Sequence, residues 1–160
     1  MDELALPSNL SELDRIKAEC KSMVTKRASA SGLAAAVPVP GVDITADIGI
    51  MLELLPAINR KFGLSHDQID QLDAETKKVL LVLITSAGSE LVGRVITKQV
   101  IGKLLKKIGS KIAVKQVAKY VPFIGTAVSA GISFGAMKYL GNSHIDDCYN
   151  VAKRYIEKSQ

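Results

Sequence analysis

Apolar residues recur at intervals of three and four along most of the 160-residue chain, and no stretch shows the sustained alternation of a half-buried strand. Hydrophobic residues make up 48% of the sequence, but only 4% is aromatic and Trp is absent. The apolar residues are therefore mainly Ala, Val, Ile and Leu, which pack well between helices. Spacing and composition together predict an all-α fold, a compact multi-helix bundle that forms one domain over residues 1–160.

Two apolar bends that contain Pro followed by Gly divide this bundle. Proline restricts the backbone and cannot continue a helix, so each bend is predicted to turn the chain into a helical hairpin. A shift of 84 positions superposes part of one bend on the other, which indicates an internal repeat unless chance or convergent turn chemistry produced the match. The bend residues are Pro38, Pro40 and Gly41 in the first hairpin, and Pro122 and Gly125 in the second.

The two bends give the domain three predicted parts. Residues 1–27 are predicted to form an outer amphipathic helix, and residues 28–141 a core with hairpins near 37–41 and 121–125. A C-terminal helix is predicted over residues 143–158, because Gly and Asn at positions 141 and 142 are typical of a helix end.

Shorter signals within the core predict individual helix boundaries. Ser65 and Gln68 have the spacing of a capping box, which indicates a helix start. The following helix carries an apolar run over residues 79–84 and is predicted to be central, since it is apolar nearly all round. Gly102 and Gly109 are predicted to break or bend the next helix.

The formal charge of +5 is unevenly distributed, because one long stretch contains cations and no Asp or Glu. Such a block favours an anionic partner, namely a lipid headgroup layer, nucleic acid or an acidic protein, although a solvated face is the alternative. Residues 95–108 interleave lysines with aliphatic residues, as a helix in a headgroup layer does, and lack the arginines and aromatics typical of nucleic-acid binding. No nucleic-acid partner is therefore expected. The predicted membrane- or partner-binding residues are Arg94, Lys98, Lys103, Lys106, Lys107, Lys111, Lys115 and Lys119.

An uncharged apolar run of about 18 residues, 120–137, reaches the lower limit of a membrane-crossing helix. Pro122 and Gly125 interrupt its start, so we expect burial in the core, or insertion of a hairpin into one leaflet, in preference to a full crossing. Gly131 and Gly135 form a GxxxG motif that lets two backbones approach closely. Tight core packing is the favoured interpretation of this motif, and a membrane dimer is the alternative.

No motif for catalysis, cofactor binding or metal binding is found, and the chain is predicted not to be an enzyme. Segment 88–94 has the glycine spacing of a P-loop, but Arg and Val stand where Lys and Ser or Thr are required. His66 and His144 are interpreted as capping or solvated residues. Cys20 and Cys148 lack metal or redox spacing and are interpreted as reduced thiols of a cytoplasmic protein.

A family resemblance follows from four apolar and glycine-containing motifs, and it covers about residues 28–157. The sequence resembles the helical C-terminal part of immunity-related GTPases and a related family of short bacterial proteins of unknown function. The resemblance implies a helical domain that supports membrane association and oligomer assembly. No Walker motif occurs, so it does not imply nucleotide-driven activity here. The motifs are Ala36–Asp43, Phe62–Leu64, Val121–Phe134 and Asp146–Cys148.

These observations lead to one functional hypothesis and one alternative. The first is a non-enzymatic, bacterial-type cytoplasmic module that associates peripherally with an anionic membrane, on its inner face, or with a protein partner or further copies of itself. The alternative is a component of a toxin-immunity system, either a pore-forming toxin or an immunity protein, because both hairpins are apolar.

Overall fold

The structure, a computed structural model, describes the backbone of residues 6–35, 42–119 and 126–160, and the side chains of residues 6–29, 47–111 and 135–160. The described backbone contains helices and no strand, which confirms the all-α prediction. Its helices are α1 Leu10–Ala35, α2 Val42–Lys61, α3 His66–Asp70, α4 Ala74–Ala87, α5 Lys98–Lys119 and α6 Thr126–Ser159.

The chain divides into two compact units, each with its own buried apolar residues. The first unit comprises Met1–Lys21, Leu55–Ile96 and Ser143–Gln160, and its buried side chains include Leu13, Phe62 and Ile145. The second comprises Ser22–Leu54 and Thr97–Asn142, and buries residues such as Met51, Ile101 and Met137. Long helices contribute residues to both units. The prediction that residues 1–160 form one domain stays a prediction.

Local capping determines the helix boundaries of the first unit. The predicted capping box is present, since the Gln68 amide donates to Ser65 Oγ at 3.2 Å and the Ser65 amide donates to Gln68 Oε1 at 3.0 Å. Asp73 caps α4 by accepting from the Thr76 amide at 2.9 Å. Gly88 ends α4 with a φ of 67°, a left-handed conformation that glycine adopts at low cost.

Helix α4 is not central, contrary to the prediction from its apolar run. Leu80, Leu83 and Ile84 are buried, whereas Leu81 and Val82 are 46% and 54% exposed. Because successive helical residues are 100° apart, a continuous run of six apolar residues covers both faces of the helix. Only one of those faces contacts the core of the first unit.

Three predicted helix boundaries are wrong. Helix α1 continues past residue 27 to Ala35, α5 passes through Gly102 and Gly109, and α6 passes through Gly141. A glycine inside a helix costs roughly 1 kcal/mol relative to alanine, which packing can offset. Within the second unit, a Cβ atom at Gly102 would lie 3.4 Å from Ile48, and one at Gly141 would lie 2.7 Å from Val24. These glycines allow close helix packing and do not end the helices.

Replacement of Gly141 by Ala is expected to destabilise the protein, by about 2 kcal/mol, although the same change normally stabilises a helix. The new Cβ would lie 2.7 Å from both Val24 methyl groups and 3.3 Å from its Cβ, and a β-branched side chain in a helix has no alternative rotamer of low energy. Urea unfolding measures the change. Gly109→Ala is the control, since nothing lies within 4 Å of a Cβ there and a small gain is expected. A gain for Gly141→Ala as well would contradict the close contact.

Candidate functional site: the lysine face of helix α5

Five of the predicted cationic residues lie on α5 with exposed side chains: Lys98, Lys103, Lys106, Lys107 and Lys111. Arg94 is also exposed, but it belongs to the first unit, whereas α5 belongs to the second. Lys115 and Lys119 lie on α5, and their side chains are outside the described part. The structure therefore places seven of the eight predicted residues on one helix, and the five with described, exposed side chains are named the lysine face.

Helical geometry separates every lysine of the lysine face except Lys98 from the buried face of α5. Ile101 and Leu105 are buried in the second unit, with exposed fractions of 0% and 8%. The spacing of four residues places Lys103, Lys107 and Lys111 in a row on the exposed side. A parallel row, also at intervals of four, consists of the half-buried Val100, Leu104 and Ile108. A partly exposed apolar strip therefore borders the lysines.

Among the described residues, no carboxylate compensates the charges of the lysine face. None of its five lysines forms an ion pair with any residue in the described ranges. Cations elsewhere do pair: Lys17 lies 3.0 Å from Asp146, and Lys61 lies 3.1 Å from Glu19. A row of exposed cations without carboxylates creates a local positive potential that attracts anions.

A second polar cluster, which the sequence did not predict, lies inside the first unit. Asn59 is 1% exposed, and its Nδ2 donates to the Leu91 carbonyl at 3.0 Å. Its Oδ1 accepts from Cys148 Sγ at 3.5 Å, and the same sulfur lies 3.7 Å from His144 Nε2. His144 is 1% exposed, so its interpretation as a solvated or capping residue is wrong. The error followed from the boundary predicted beside it, because α6 continues through this position.

Burial keeps this Asn–Cys–His cluster neutral. Desolvation raises the pKa of the Cys148 thiol well above its ordinary value and lowers the pKa of His144 to about 4. His144 Nδ1 has no hydrogen-bond partner of normal geometry among the described residues, and the Leu55 backbone offsets the lowered pKa only in part. A neutral thiol beside a neutral imidazole is not an activated nucleophile, since the thiolate is the reactive form. The cluster is therefore a structural element of the core.

Segment 88–94, with its P-loop-like glycine spacing, uses its own serine where a P-loop binds phosphate. Ser89 Oγ accepts from the Leu91 amide at 3.2 Å and from the Val92 amide at 3.1 Å. Gly93 has a φ of 69°, and a Cβ there would lie within 2.9 Å of Ile69 and Ile84. The segment is therefore a packed turn in which the Leu91 and Val92 amides already donate to a side chain of the segment itself.

Several predictions concern membranes, metals and the hairpins. No helix in the described part of the chain is long and apolar enough to cross a bilayer. No group of three or more His, Cys, Asp or Glu side chains suited to a metal ion occurs among the described residues. The bend residues of both predicted hairpins lie outside the described residues: Pro38, Pro40, Gly41, Pro122 and Gly125. The toxin-immunity alternative rests on these hairpins, so it stays a prediction. Gly131 and Gly135 lie within α6, and their packing role also stays a prediction.

Comparison with known proteins finds similarity to interferon-inducible GTPases. The chain is 30% identical over 153 residues to Interferon-inducible GTPase 5 of Bos taurus and 29% identical over 153 residues to Interferon-inducible GTPase 5 of Rattus norvegicus. Each match includes 94% of this chain and 33% of the relative, so the chain spans about a third of the length of the curated relatives it matches. No family model and no solved structure matches. The similarity fits a distant relation to immunity-related GTPases.

Proposed function

We propose that the protein is a helical module that binds the surface of anionic membranes through the lysine face of α5, on the cytoplasmic side. The observation that carries this proposal is that none of five exposed lysines forms an ion pair within the described part of the chain, whereas Lys17, Lys61 and Lys77 each do. We propose no nucleotide-driven step. The proposed module corresponds to the helical C-terminal part of an immunity-related GTPase.

The half-buried row of Val100, Leu104 and Ile108 favours a lipid surface over a soluble anion. A helix that lies in the interface places its apolar side at the acyl boundary and its lysines among the headgroups. A lysine face without the apolar row would attract anions equally well, but it would bury no apolar side chains among the lipid acyl chains. Each lysine near an anionic leaflet contributes roughly 1 kcal/mol, so the face supports reversible, salt-dependent binding.

Neutralising two lysines of the face is expected to weaken binding to anionic vesicles about 30-fold, since two contributions of roughly 1 kcal/mol are lost. The variant is Lys103→Gln with Lys107→Gln. Co-sedimentation with vesicles of phosphatidylcholine and phosphatidylserine, compared with phosphatidylcholine alone, measures the affinity at low and at high salt. We expect binding only with phosphatidylserine, and weaker binding at high salt.

A matched control variant distinguishes an effect of the lysine face from an effect of the protein's net charge. Lys78→Gln with Lys158→Gln removes two exposed lysines of the first unit and lowers the formal charge by the same amount. It is expected to bind like the unmodified protein. Equal loss in both variants would mean that net charge, and not the lysine face, drives binding. Failure to bind any vesicle would overturn the membrane proposal and direct attention to a protein partner or to self-association.

A further inference from the structure

An open pocket of about 470 Å³ lies within the first unit, between the segment before α1, the start of α4 and the last turn of α6. Its walls are mainly apolar and include Leu6, Pro7, Leu72 and Ile156. Sites for small molecules have volumes of roughly 300 to 1,000 Å³, apolar walls and a few polar groups that orient the ligand. The pocket has these dimensions, and its polar groups indicate which ligand it would accept.

The charged group among the described lining residues is the carboxylate of Asp73. Asp73 Oδ2 accepts from the Thr76 amide at 2.9 Å, and Oδ1 accepts from Thr76 Oγ1 at 2.6 Å. Each oxygen retains a further acceptor position. These hydrogen bonds lower the pKa of the Asp73 carboxyl, which is therefore ionised at neutral pH.

No cationic side chain balances this charge at the pocket. None of the lining residues in the described structure is Lys, Arg or His. We propose that the pocket binds a small organic cation, with an apolar body against Leu72 and Ile156 and a primary ammonium group beside Asp73. An anionic ligand of the same shape would face the carboxylate without a compensating charge. The site belongs to the first unit and is independent of the lysine face.

Binding to the full chain can be tested with three probes that share a phenyl ring and differ in charge: 2-phenylethylamine, 2-phenylethanol and 3-phenylpropionate. Amide chemical shifts of the isotope-labelled protein are followed during titration. We expect saturable shifts at Ser8, Thr76 and Ser159 with the amine, about fivefold weaker binding of the alcohol because an exposed charge pair contributes modestly, and none with the carboxylate. Equal affinity for the three probes, or no saturable shift at millimolar amine, would overturn the proposal.

The variant Asp73→Asn separates the charge from the capping role of this residue. Asparagine caps a helix about as well as aspartate, so α4 is expected to remain intact. The affinity for the amine should fall about fivefold, to that of the alcohol, because the exposed charge pair is removed. The affinity for the alcohol should not change. An unchanged affinity for the amine would show that Asp73 does not recognise the cation, and would overturn the assignment.

Discussion

Acidification is expected to destabilise the protein through His144, by about 3 kcal/mol in total between pH 6.5 and pH 4. The pKa of this buried imidazole is lowered from 6.5 to about 4, so the unfolded chain takes up the proton first as the pH falls. Above pH 6.5 the residue is neutral in both states and costs nothing. Below that pH stability decreases by roughly 1.4 kcal/mol per unit, until the folded state is also protonated near pH 4.

Urea unfolding at half-unit steps of pH measures this decrease, and His144→Gln provides the control. The neutral glutamine removes the imidazole titration, so its stability should change little between pH 6.5 and pH 5. Carboxylates with lowered pKa values, such as Glu12 and Asp70, lose their contributions at lower pH and do so in both proteins. Parallel profiles of the two proteins above pH 5 would mean that His144 is not buried in its neutral form.

Replacement of Asn59 by Leu is expected to cost about 3 kcal/mol, because it leaves two buried polar groups without partners. Leu has the same branching and the same number of non-hydrogen side-chain atoms as Asn, so the change removes hydrogen bonds and leaves no cavity. The Leu91 carbonyl loses its bond to Nδ2, and the Cys148 thiol loses its acceptor. The carbonyl accounts for most of the cost, since a thiol is a weak donor.

The same substitution at an exposed asparagine of α6, Asn150→Leu, is the matched control, with an expected change of less than about 0.5 kcal/mol. Urea unfolding compares the two variants at pH 7, where His144 is neutral. A cost below about 1 kcal/mol at Asn59 would mean that water or another group satisfies the Leu91 carbonyl in the variant. The Val92 amide belongs to the same peptide group as the Leu91 carbonyl, so its hydrogen exchange would then remain slow in the variant.

The helices and the lysine face could be predicted because the signals for both are local. A capping box needs only Ser65 and Gln68, three residues apart, and the structure contains it. The row of lysines needs only spacing by four residues and a helix that continues. Exposed charge follows from sequence directly, since lysine is seldom buried. The sequence therefore identified five exposed lysines of α5 without knowledge of what the other side of the helix contacts.

The buried cluster and the continuous helices could not be predicted, because their causes are distant in sequence. Gly141 has the appearance of a helix end until Val24 of α1 is placed against it. Cys148 and Asn59 are 89 positions apart, and only the folded chain shows that the thiol donates to the amide oxygen. A local reading assigns His144 to a helix start. Its true environment depends on α2, whose Leu55 backbone lies beside the ring.

The reactivity of the two buried thiols of the first unit reports how often this unit opens to solvent. Cys20 and Cys148 are both fully buried and unpaired, and burial raises the pKa of Cys20 to about 11. A thiol-specific reagent reacts only with exposed thiolate, so labelling must wait until local or global unfolding admits solvent. The rate of modification of the unmutated protein therefore measures the population of open molecules. Labelled fractions of the two cysteines, separated by mass spectrometry, would distinguish fraying of α1 from release of α6.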